Sequence, residues 1–65
     1  MPFVEVTLAA GRSPQQLRLL ISRLTRAVVE SIGVQPESVR VVLREVPKTH
    51  WASGDVTLAE KEGGR

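Results

Sequence analysis

The sequence has no cysteine, one histidine and only two aromatic residues, Phe3 and Trp51, among 65. Without cysteine there is neither a disulfide framework nor a thiolate zinc site, and one histidine does not make a metal site. A chain of this length buries only about 60% of the surface it exposes when unfolded. With disulfides and metal closed, self-association is the remaining route to stability, and a homo-oligomer is expected. No apolar run is long enough to cross a bilayer and no secretory h-region is present, so neither a membrane span nor export is expected. The cytoplasm is the expected compartment. Charge of one sign is scarce too: nine basic and seven acidic residues give +2 and do not gather into a block, which argues against nucleic acid as a partner. There is no internal repeat, low-complexity stretch or dividing linker. The chain reads as one domain over residues 1–65, with a polar, frayed tail after about Lys61.

What is present in quantity is branched aliphatic residues and arginine. Apolar residues make up 42% of the chain, more than a small core needs, and seven of the nine basic residues are arginine, whose planar fork suits small anions. Alternation predicts a strand over Phe3 to Ala9, with Val4, Val6 and Leu8 facing a helix and Glu5 and Thr7 on the other side. Ala10-Gly11-Arg12 breaks that pattern. Ser13-Pro14-Gln15-Gln16 then starts a helix, with Ser13 as N-cap, Pro14 at the first helical position and Gln16 closing a capping box. Leu17, Leu20, Ile21, Leu24 and Val28 make one apolar stripe, while Leu19, Val29 and Ile32 lie at or beyond its edges and point to a second buried surface. Gly33 fits a left-handed C-cap, so the helix runs from about Pro14 to about Ser31.

A connection with a short turn at Pro36 leads to a second strand from Val39 to Val46, with Val39, Val41 and Leu43 on one face and Arg40, Val42 and Arg44 on the other. Strand, helix and strand in this order predict a right-handed βαβ unit with parallel strands. Pro47 ends the second strand, and Ala52 to Asp55 supplies a turn before Val56 to Ala59, a short hairpin arm reaching a neighbour. The fold class is α/β (α+β), a βαβ subunit with a C-terminal β-hairpin. One sheet edge and most of one sheet face are left open for another subunit to cover.

Four residues stand out as candidates for chemistry. Removal of Met1 turns Pro2 into a free secondary amine, and α-amino groups titrate close enough to neutrality to serve as bases; the plain alternative is a proline that opens a strand. Arg12 sits at a helix N-terminus, where anions are favoured, or is simply an exposed loop arginine. Arg40, in a strand rich in valine and leucine, needs a carboxylate, which Glu5, Glu45 or a ligand supplies. Trp51 is an interface or pocket anchor. His50 reads as a loop residue with no nucleophile elbow beside it, and Gly11 and Gly54 are isolated rather than part of a phosphate loop.

Pro2 before a short strand, Gly11-Arg12-Ser13 before a capped helix, Ser38-Val39-Arg40-Val41 in the second strand and the turn from Trp51 to Gly54 occur in the order and near the spacing of one family. From Pro2 to about Lys61 the chain resembles the 4-oxalocrotonate tautomerase family. The resemblance implies a cofactor-independent keto-enol tautomerase of small enol or keto (di)carboxylic acids, as in aromatic catabolism, assembled as a hexamer described as a trimer of dimers. It assigns Pro2 as general base, Arg12 and Arg40 as holders of the carboxylate and of the keto or enol oxygens, from more than one subunit, and Trp51 as part of the hydrophobic wall. Cationic neighbours and a partly apolar site favour the free-base form of a proline amine, and the same guanidinium groups stabilise an enolate. Larger aliphatic residues stand in familiar members where this chain has Ala9 and Ser53, and a phenylalanine where it has Trp51, so the pocket is reshaped and somewhat more polar. Dehalogenating and hydrating relatives carry a glutamate near the position of Ser53, which makes hydrolytic chemistry the weaker option. If Met1 is retained, the Pro2 nitrogen is an amide without basicity, and the chain reads instead as a silent scaffold or an arginine-donating subunit.

Overall fold

The computed structural model describes residues 1–63. Strand β1 (Phe3–Ala9) and strand β2 (Arg40–Val46) pair in parallel, in the register Phe3 to Arg40 through Ala9 to Val46. Helix α1 (Pro14–Ile32) is the crossover between them and lies mainly over β2. Val4, Val6, Leu8, Val41 and Leu43 are half-buried on the helix side, and Phe3, Glu5, Thr7, Arg40, Val42 and Arg44 are exposed on the other.

The ends of α1 follow from local chemistry. Ser13 Oγ accepts from the Gln16 backbone N–H at 3.1 Å, and the Ser13 N–H donates to Gln16 Oε1 at 2.9 Å, closing the expected capping box. Gly33 takes a left-handed conformation at φ 71° and its N–H donates to the Val29 carbonyl, which ends the helix one residue beyond Ser31. A 3-10 turn over Pro36–Ser38 leads into β2, which begins at Arg40 rather than Val39. Val39 instead donates its N–H back to the Pro36 carbonyl at 3.1 Å as the C-cap of that turn.

After β2 a second 3-10 turn (Lys48–His50) precedes the antiparallel hairpin of β3 (Ala52–Ser53) and β4 (Val56–Thr57). Gly54 and Asp55 both have positive φ, 59° and 68°, the combination that a two-residue loop needs to match the twist of its strands. The hairpin is shorter than the sequence suggests, because Leu58 and Ala59 belong to helix α2 (Leu58–Gly63). Thr57 Oγ1 accepts from the Glu60 N–H, and Glu60 Oε1 accepts from the Thr57 N–H, a second reciprocal cap that draws these residues out of the strand. Of the tail expected after Lys61, Glu62 and Gly63 complete α2, and Gly64 and Arg65 lie outside the described residues.

Among the described residues none is buried. The chain measures 46 × 24 × 14 Å with a radius of gyration of 15.2 Å. A compact body of its length has a radius of about 11 Å. Phe3, Leu19, Ile32 and Val42 are 62, 51, 61 and 41% exposed. Helix and sheet thus leave apolar surface outward on both sides.

Candidate active site

Pro2 is half-buried at the head of β1, behind a Met1 that is 84% exposed. Its carbonyl accepts the Arg40 backbone N–H at 3.0 Å, so the first rung of the parallel ladder joins these two residues directly. The Arg40 side chain is exposed, and its Nη1 donates to the Glu37 carbonyl at 2.7 Å. Neither glutamate expected to pair with it does so. Glu5 forms its ion pair with Arg44, which is next but one along the exposed face of β2, leaving Arg40 with no carboxylate partner among the described residues.

Arg12 lies at the other end of the strands. It is exposed in the turn between β1 and α1, where Nη1 donates to the Ala9 carbonyl at 3.0 Å and folds the guanidinium back over its own loop. Trp51 is half-buried beyond the C-terminal end of β2, and its carbonyl accepts the Leu58 N–H at 2.9 Å, tying the base of the hairpin to α2. At a rise of about 3.3 Å per residue, β1 alone holds the ends roughly 20 Å apart. One chain therefore brings Pro2 together with Arg40 but separates both from Arg12 and Trp51.

A groove of about 370 Å³ runs between α1 and Pro36 and is lined in part by Arg18, Ser22, Arg26 and Val29. It contains none of the four candidates. Among the described residues there is no group of three histidine, cysteine, aspartate or glutamate side chains placed to hold a metal, and no helix is long and apolar enough to cross a membrane.

Lys48 is a feature of the Arg12 end that no motif in the sequence singles out. Its Cε and Nζ lie over Gly11, within 3.6 Å of where a Cβ would stand on that glycine, and Nζ donates to Glu62 Oε1 at 2.9 Å. Nothing in the local sequence marks this contact, because Lys48 and Glu62 meet only through the unforeseen α2.

Comparison with known proteins gives the same architecture as the geometry. The chain is 40% identical to a 2-hydroxymuconate tautomerase from Comamonas testosteroni over 65 residues, covering all of both chains. It superimposes on TomN, described as a 4-oxalocrotonate tautomerase homologue in the tomaymycin biosynthetic pathway, with a TM-score of 0.91, 40% identity and 97% of each chain covered. It also matches a heterohexamer 4-oxalocrotonate tautomerase from Chloroflexus aurantiacus with a TM-score of 0.86 and 35% identity, covering 92% of this chain and 97% of that one. The model of the family described as tautomerase enzyme matches residues 2–61, which take in both strand ends and the hairpin. This chain therefore belongs to the tautomerase family, within the 4-oxalocrotonate tautomerase-like, small-subunit superfamily, and shares that superfamily's general catalytic character.

Proposed function

We propose that this chain is a single-domain, cofactor-independent tautomerase that interconverts enol and keto forms of a small mono- or dicarboxylic acid, with Pro2 as its base once Met1 is removed. The observation that carries the reading is the direct backbone rung between Pro2 and Arg40, which makes neighbours of the amine-bearing residue and an arginine whose guanidinium has no carboxylate partner among the described residues. In this reading Pro2 nitrogen accepts a proton from the enol or from carbon and returns it at a second position. Arg40 faces the oxygen on which negative charge develops, and fixed donors at such an oxygen lower the barrier. Arg12 holds a carboxylate and Trp51 covers the apolar part of the substrate. Because Arg12 and Trp51 stand at the far end of the strands, the complete site draws on neighbouring subunits of a hexamer arranged as a trimer of dimers.

The test compares protein beginning at Pro2 with protein that keeps Met1, established by N-terminal mass analysis. Conversion of 2-hydroxymuconate and of phenylenolpyruvate is followed by ultraviolet absorbance. The processed protein is expected to turn over at least one of them and the Met1 form almost neither, because its Pro2 nitrogen is an amide. Equal rates from the two forms exclude Pro2 as the base. A processed protein inactive on both excludes these two acids as substrates, and a chain that uniformly keeps Met1 is instead a scaffold or an arginine-donating subunit.

A further inference from the structure

We propose that Lys48 is a specificity-determining residue: together with Arg12 it forms a two-cation seat for the distal carboxylate of a dicarboxylic substrate, and Glu62 tempers that seat. The proposal rests on the tautomerase reading for the placement of substrate and on three contacts for the seat. First, the Lys48 ammonium lies against Gly11, the residue next to Arg12, with Nζ within 3.6 Å of where a Cβ would stand. Second, the backbone holds the strand ends side by side, since the Ala10 N–H donates to the Val46 carbonyl at 2.8 Å. Third, Nζ is engaged by Glu62 Oε1 at 2.9 Å, in a pair whose side chains are 38% and 58% exposed.

An ion pair as exposed as this one is screened by solvent and holds its partners weakly. A substrate carboxylate arriving at Arg12 therefore competes with Glu62 for Lys48 at little cost. At φ 131° Gly11 adopts backbone that residues with a Cβ rarely take, and this fixes the turn along which the lysine stem lies. A monocarboxylic substrate has no group to present to this seat, so Lys48 separates two classes of acid that Pro2 and Arg40 treat alike.

The experiment measures binding by calorimetry of trans,trans-muconate and of sorbate, a six-carbon diene of the same geometry with one carboxylate fewer, to the processed oligomer. Neither undergoes tautomerisation, so the seat is read even if the enzyme proves inactive. Lys48→Met should weaken muconate about fivefold and leave sorbate within about twofold, an effect of the size that single partly exposed charges give. Glu62→Gln should tighten muconate by a similar factor and change nothing when Lys48→Met is already present. Lys48→Arg, which keeps the charge, should retain muconate binding. Equal weakening of both acids by Lys48→Met, or weaker muconate binding in Glu62→Gln, overturns the seat and makes the pair a structural tie. Turnover of 2-hydroxymuconate with an unchanged KM in Lys48→Met also removes the seat while leaving the tautomerase reading intact.

Discussion

Arg40 uses its backbone and its side chain on different partners: its N–H holds the Pro2 carbonyl, and Nη1 holds the Glu37 carbonyl. Replacing the side chain therefore leaves the rung to Pro2 in place, which makes Arg40→Ala a clean probe of charge. It should lower kcat by roughly 30- to 1,000-fold, the range for losing one donor at a developing oxyanion, about 2 to 4 kcal/mol. Arg12→Ala should instead raise KM for 2-hydroxymuconate and affect phenylenolpyruvate less, since its proposed role is to hold a carboxylate remote from the reacting carbon. Steady-state kinetics on the two substrates separates these outcomes, and a uniform loss of kcat in Arg12→Ala counts against a binding role. At this scale the sequence singled out residues whose chemistry depends on type and place in the chain, Pro2 and the two arginines, and kinetics of these variants decides their roles. The sequence was misleading about pairing. Even in register Glu5 stands opposite Val42, midway between Arg40 and Arg44, and only the side-chain directions assign it to Arg44.

The elements were legible wherever a local signal had one meaning. Ser13, Pro14, Gln16 and Gly33 bracket α1 because each answers an orphan backbone group or a positive φ at one defined position. Ser13→Ala should cost about 1 kcal/mol, and Gly33→Ala a similar amount, about 1 kcal/mol, because alanine resists φ near 71°. Thermal unfolding at fixed protein concentration reads both; no loss in Gly33→Ala would mean that the C-terminal turn rearranges freely. Helix α2 was missed because Val56-Thr57 favours a strand while Thr57 and Glu60 together spell a capping box. Both signals are used, the first by β4 and the second by α2, and the boundary falls between Thr57 and Leu58.

As a whole molecule the chain is open, with no buried residue among those described and apolar side chains outward from both helix and sheet. Light scattering should give six chains per particle. Val42→Asp, which sets a charge in the middle of the exposed sheet face beside Phe3 and Glu5, should shift the population to smaller species and lower activity with it. A folded, active monomer at micromolar concentration would exclude an active site shared between subunits. Composition points toward association, since 42% apolar residues exceed what so small a core takes up, but not to any one geometry. The number and angle of contacts depend on how surfaces fit, which no periodicity encodes.

The distance along β1 between Pro2 and Arg12 also has a meaning for inheritance. If each site takes its base from one chain and its distal cation from another, two damaged copies of the gene can repair each other. A cell carrying one allele without Pro2 and another without Arg12 would assemble mixed particles in which some sites are whole. Two alleles damaged at the same strand end would never do so.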